Sequence, residues 1–185
     1  MKLQKKKTLL TGLVMASLVG STAMAAGVDN TVNGGFGAEA YGYTNTITAT
    51  GTSAFSVGYQ NEVSGANSIA YGHNNKAVGS NSIAGGENSE AKGYSSVSIG
   101  SSAQALSDYS YAIGSQARTN GANTVAVGNG SYIDNYASQG GSVAIGKNAK
   151  IENMAGGVEA SFALGQTTFS GNWFSSARIP ADPTK

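Results

Sequence analysis

Few residues in this chain have chemistry to offer. The stretch Gly141-Ser142-Val143-Ala144-Ile145-Gly146-Lys147-Asn148 stops one position short of the phosphate-cradling pattern G-x-x-x-x-G-K-[S/T]. Asn148 stands where a hydroxyl would have to reach magnesium. Gly35-x-Gly37-x-x-Ala40 has the outline of a dinucleotide-binding turn. Both motifs need a strand–loop–helix unit, and no helical pattern follows either one. His73, just after Gly72, is the single imidazole and there is no cysteine. A nucleophilic triad or a typical zinc site therefore has no parts, and His73 reads as an exposed turn residue. Acids occur singly, so Glu87, Asp108 and Asp134 read as solvated turn residues, and no calcium-binding G-G-x-G-x-D repeat is present. The chain reads as non-enzymatic, with no cofactor and no metal.

The elements that would carry any site follow from an unusual composition. The chain has 185 residues, 27 of them glycine, with 2 prolines and 11% charged residues. Average usage is about 7% glycine and about 25% charged. Glycine and serine are poor in helix interiors, which disfavours a helical bundle. Collagen is excluded, because glycine does not recur at every third residue. The formal charge of +1 hides an uneven distribution. Lys2, Lys5, Lys6 and Lys7 precede an apolar run from Thr8 to Gly20, and the small residues Ala23 and Ala25 follow. A basic start, a short apolar core and an A-x-A site make residues 1–25 a secretory signal peptide. The run is too short to span a bilayer, which takes about 20 residues. Removing four lysines from 11 basic residues leaves seven against 10 acidic ones, a charge of about −3. Without a basic patch, nucleic acid is not an expected partner.

Self-similarity organises the rest. Gly58, Gly72, Gly86, Gly100, Gly114 and Gly128 lie 14 residues apart, and the series extends to Gly146 and Gly165 and back to Gly42. A second glycine falls midway at Gly65, Gly79, Gly93 and Gly121, with Ser107 once in its place. Seven residues suit a short strand and a tight turn, so two halves make one coil of a parallel β-solenoid. About nine coils, about 4.8 Å apart, would build a rod roughly 40 Å long. Glycines are expected to supply the φ > 0 turn conformations.

Alternation within each coil separates two sets of side chains. Two and four residues before the closing glycine stand only Ala, Ser or Thr, among them Ala70, Ala84, Ala112, Ala126, Ala144 and Ala163. Three before it stand Phe55, Ile69, Ile83, Val97, Tyr111, Val125, Val143 and Phe162, with Glu39 the exception. One before it stand Tyr41, Val57, Tyr71, Ile99, Ile113, Val127, Ile145 and Leu164, with Gly85 the exception. In the other half-coil Val63, Ala77, Ala91, Ala105 and Thr119 alternate with Glu62, Lys76, Glu90, Gln104 and Arg118, so small residues point in and charge points out. Two sheets holding full-sized side chains between them pack about 10 Å apart, which a seven-residue half-coil does not provide. Small against small inside leaves the Ile/Val/Phe ladder outside, as an oligomer interface, because a soluble monomer does not tolerate so long an apolar face. The alternative is that the ladder fills the roll and the chain is monomeric.

These phrases resemble the head repeats of trimeric autotransporter adhesins, the YadA-like head, whose pattern is approximately S-[VI]-A-[IV]-G-x-x-A-x-A-x-G-x-x. Ser142-Val143-Ala144-Ile145-Gly146 and Thr124-Val125-Ala126-Val127-Gly128 are the closest phrases, and the likeness covers residues 53–165. The resemblance implies a left-handed parallel β-roll packed as a homotrimer. Its trimer interface would be Phe55, Val57, Ile69, Ile83, Val97, Ile99, Ile113, Val125, Val127, Val143, Ile145, Phe162 and Leu164. It also implies an adhesin on the cell surface or outer membrane, binding host extracellular matrix, host cells or other bacteria.

The organisation expected is a leader at 1–25, a cap with a divergent first coil at 26–50, the head at 51–170, and a tail or the start of a neck at 171–185. No heptads or membrane-length strands follow the head, so the chain reads as a fragment of a longer adhesin or as a secreted head without its own anchor. Inserts at 131–140 and 152–158 either bind a partner or only shift register. Tyr59, Tyr94, Tyr109, Tyr132 and Tyr136, at or near turns, either contact a partner or pack between coils. Trp173 and Phe174 would cap the end of the rod. Two other classes compete. One is a structural surface or matrix rod without a receptor. The other is a solenoid enzyme, which would need longer coils or a six-residue period with clustered acids.

Overall fold

The structure, a computed structural model, describes residues 24–33, 35–49, 53–135, 141–153, 161–165 and 168–170. All of its regular structure is β, laid out as a parallel solenoid. One ten-stranded sheet holds the odd strands: β1 (Met24–Val28), β3 (Glu39–Tyr43), β5 (Phe55–Tyr59), β7 (Ile69–His73), β9 (Ile83–Glu87), β11 (Val97–Ser101), β13 (Tyr111–Ile113), β15 (Val125–Val127), β17 (Val143–Ile145) and β19 (Phe162–Leu164). The second ten-stranded sheet holds the even ones: β2 (Thr31–Val32), β4 (Thr46–Ile47), β6 (Glu62–Val63), β8 (Lys76–Ala77), β10 (Glu90–Ala91), β12 (Gln104–Ala105), β14 (Arg118–Asn120), β16 (Tyr132–Asn135), β18 (Lys150–Asn153) and β20 (Thr168–Ser170). The expectation of about nine coils falls short by one strand in each sheet. The addition is β1 with β2, and β1 begins at Met24, two residues before the expected cleavage point.

Register follows the 14-residue count. Phe55 pairs with Ile69, Ile69 with Ile83, and Gly58 with Gly72 and then Gly86. Where inserts lengthen a coil the pairing holds, as Val125 meets Val143 and Val143 meets Phe162. The alternation is kept across both inserts, where a one-residue slip would turn every side chain to the opposite face.

The interior is made of small side chains. Ala70, Ala84, Ala112, Ala126, Ala144 and Ala163 are fully buried, and Ile47, Val63, Ile133 and Ile151 are the largest apolar residues inside. The serines and the threonine four before the closing glycine do more than fill space. Ser96 Oγ donates to the Gly93 carbonyl at 2.7 Å, and Thr124 Oγ1 donates to that of Gly121 at 2.7 Å. These hydroxyls satisfy turn carbonyls that face inward.

A column of asparagines, absent from the sequence expectations, runs through the amino-terminal coils. Asn61 Nδ2 donates to the carbonyls of Val57 and Gly72, each at 3.0 Å, and to Asn45 Oδ1 at 3.0 Å. Asn61 Oδ1 accepts from both the backbone N–H and the Nδ2 of Asn75 at 3.0 Å. Asn30, Asn45, Asn61 and Asn75 repeat this arrangement, and Ser89 closes it by donating its N–H to Asn75 Oδ1 at 2.9 Å. Burial of an amide is unfavourable unless its donors and acceptors are met, and here each rung meets those of the next.

Glycine conformation splits into two roles. The closing glycines from Gly42 to Gly146 have φ between +108° and +140°, and Gly165 has +58°. The midway glycines Gly65, Gly79 and Gly93 do not have positive φ; they are glycine because the next coil's backbone carbonyl lies where a Cβ would stand. Left-handed turn positions are filled instead by non-glycine residues, such as Asn67, Asn74, Asn81, Asn88, Gln60 and Tyr109, at φ between 53° and 58°. Asparagine tolerates that region better than most side chains.

Candidate interaction surface

The outward face of the odd-strand sheet is built by the strand alternation. In each coil the residues two and four before the glycine go in, so those one and three before it go out. Val57, Ile69, Ile113, Ile145, Phe162 and Leu164 are exposed on this face, from 36% for Ile69 and Ile113 to 55% for Leu164. Phe55, Ile83, Val97, Ile99, Val125, Val127 and Val143 are half-buried on the same face, between neighbouring rungs. The thirteen residues named from the sequence thus lie on one side of one sheet. The alternative in which the ladder fills the roll does not hold, because alanine and serine occupy that space.

The two exceptions in the ladder have local reasons. At Gly85 the Tyr71 ring covers the strand, and a Cβ there would collide with it. Tyr71 therefore fills the gap that glycine leaves. At Glu39 the carboxylate accepts a hydrogen bond from the Tyr41 hydroxyl at 3.0 Å. That bond, with burial and the carboxylate charge, raises the Tyr41 pKa above its ordinary value. The Tyr41 ring packs on Phe55, centroids 5.8 Å apart, and carries the apolar strip up to this charged end.

The opposite sheet presents charge. Lys76 Nζ lies 3.6 Å from Glu62 Oε2, Lys92 Nζ 3.1 Å from Glu90 Oε1, and Lys150 Nζ 2.7 Å from Glu152 Oε1. Such partly exposed pairs contribute about 0–1 kcal/mol each, so they set surface character more than stability. The Tyr132 hydroxyl donates to Asp134 at 3.0 Å; burial foremost, then this carboxylate, raises its pKa. Asp134 lies in β16 and accepts from Asn120 at 2.9 Å, so it is a strand residue and not the solvated turn residue expected. Tyr132 is in the same strand. Asp108 does sit at a turn, accepting the Tyr94 N–H at 2.7 Å.

His73 is likewise not a turn residue. It ends β7, its ring 5.2 Å from that of Tyr59 and its Nδ1 3.8 Å from Glu87 Oε1. Tyr59 and Glu87 end β5 and β9. Tyr94 and Tyr109 meet at a turn, ring centroids 5.5 Å apart. The two nucleotide-like motifs resolve into repeat geometry. Gly141–Asn148 forms β17 and its following turn, Gly35–Ala40 forms a turn running into β3, and no helix follows either among the described residues. Among those residues, no three of His, Cys, Asp and Glu group to hold a metal, and no helix is long and apolar enough to cross a membrane. Tyr136, Trp173, Phe174, the leader before Met24, the tail, residues 136–140 of the first insert and residues 154–158 of the second lie outside the described residues.

Comparison with protein families matches residues 49–75, 91–110 and 105–131 to the family described as the YadA head domain repeat (2 copies). No curated protein matches the chain. The matched segments take in β5 to β7 and β11 to β15, with β8 and β9 between them unmatched, and carry the alternation that divides interior from outward face.

Proposed function

We propose, from the chain's place in the YadA-like head repeat family of trimeric autotransporter adhesins, that it is the head of a non-enzymatic surface adhesin. Three copies pack as left-handed β-rolls through the outward face of the odd-strand sheet. The resulting rod attaches to host matrix, host cells or other bacteria. The leader at 1–25 carries the chain across the inner membrane, and the head then stands at the cell surface or outer membrane, or is secreted.

The observation that carries this reading is the sorting of side chains by size. Alanine and serine are inside, while a continuous Ile/Val/Phe face looks outward. Burying such side chains is worth about 1.5–3 kcal/mol each, and a second and third copy of the same face provide the cover. The charged outward face of the even-strand sheet remains in water, where a partner can be met.

The exported chain, residues 26–185, is expected to bind immobilised matrix or host cells saturably, with unlabelled chain competing. A folded chain that binds none of these surfaces saturably would overturn the adhesin reading and leave a structural rod.

A further inference from the structure

We infer that the amino-terminal half of the rod carries a binding strip for a neutral glycan chain, built from an aromatic column and an amide column side by side. The inference rests on the adhesin reading and names a ligand class for it. Tyr43, Tyr59 and His73 are paired in register on consecutive strands β3, β5 and β7, each just after its closing glycine. All three are exposed, with Tyr43 at 56%. Strand pairing spaces their rungs by about 4.8 Å, close to the length of one sugar unit in an extended chain. The Tyr59 and His73 rings lie 5.2 Å apart and tilted, which leaves a corrugated apolar platform.

The next residue along from each ring, Thr44, Gln60 and Asn74, is exposed and held in left-handed conformation, and one coil further Asn88 follows Glu87 in the same way. Asn74 Nδ2 donates to Asn88 Oδ1 at 2.6 Å, which holds those two amides in line. Asn74 and Asn88 also line a shallow polar groove of about 240 Å³ that continues the strip round onto the even-strand sheet. A pyranose ring offers C–H groups on one face and hydroxyls at its rim. The first suits aromatic faces, and the second suits amides that both donate and accept. Glu87, one rung beyond His73, lies 3.8 Å from its Nδ1, and in the groove Lys76 lies 3.6 Å from Glu62 and Glu90 3.1 Å from Lys92. With both signs present and neither dominant, the strip fits a neutral polymer better than a charged one.

The test uses the exported chain with cellohexaose and chitohexaose in titration calorimetry, and heparin and a collagen-like triple-helical peptide as comparison probes. At least one hexasaccharide is expected to bind with little change between low and high salt. Tyr59→Ala is expected to weaken it roughly tenfold or more. Tyr109→Ala, exposed at a turn away from the strip, is expected to leave it unchanged. Far-UV dichroism verifies that both variants keep the β-roll. Four results would overturn the inference: no binding of either hexasaccharide, binding unaffected by Tyr59→Ala, tighter salt-sensitive binding of heparin that needs the same residues, or a strip that takes only the collagen-like peptide. If the hexasaccharides fail while the chain still attaches saturably to cells, the glycan strip falls and the adhesin reading stands. If attachment fails as well, both fall.

Discussion

A chain carrying Val57→Asp and Ile113→Asp is expected to be folded and monomeric, and the unsubstituted chain is expected to be trimeric. Both side chains point out from the odd-strand sheet, 38% and 36% exposed, so neither substitution touches the alanine interior. The two positions lie on β5 and β13, four strands apart in the sheet, which keeps the new carboxylates from repelling each other within one chain. In the single chain the change replaces exposed apolar surface with exposed charge and is close to neutral. In an assembled seam it buries unpaired carboxylates, at several kcal/mol each, and threefold symmetry repeats the cost in every copy. Sedimentation velocity reads the mass and far-UV dichroism the fold. An unchanged mass with both substitutions present would mean that this face does not form the seam.

Gly72→Ala is expected to destabilise the roll by about 3 kcal/mol or more, lowering Tm by roughly 6–12 °C. Gly72 has φ of +108°, outside the left-handed well that asparagine can occupy. An added Cβ would strike the carbonyl oxygen of Gly86 in the next coil. That carbonyl also accepts Asn75 Nδ2 at 2.8 Å, so moving it disturbs the asparagine column. Gly165→Ala is the control: its φ is +58° and, among the described residues, a Cβ there meets nothing within 4 Å. It should cost only the left-handed strain, about 1–2 kcal/mol. Thermal melts of the two variants beside the unsubstituted chain give the comparison. Equal melts for Gly72→Ala and Gly165→Ala would show that the close approach of coils is not what selects glycine.

The division between interior and outward face was legible because it depends on side-chain size at period two, which the phrases from Phe55 to Leu164 repeat with few exceptions. Those exceptions were not legible. Gly85 makes sense only once the Tyr71 ring lies over it, and Glu39 only once Tyr41 donates to it. The asparagine column had a readable signal, since Asn45, Asn61 and Asn75 each stand three residues after a closing glycine. It fades because Ser89, Ala103 and Ala117 occupy the same place further along, so no single residue type marks the column. The turn conformations were misassigned for a related reason. The midway glycines are selected by close contact between coils, and the positive φ falls on residues as different as Gln60, Ser95 and Tyr109. Pairing His73 with Tyr59 and Glu87 required the register, which places residues 14 apart side by side.

The mass of residues 26–185 in solution, by light scattering on a sizing column, tests the central claim most directly. The account predicts three times the chain mass, from a species that retains its β-sheet dichroism. A folded species of one chain mass, with the Ile/Val/Phe face open to water, would contradict it.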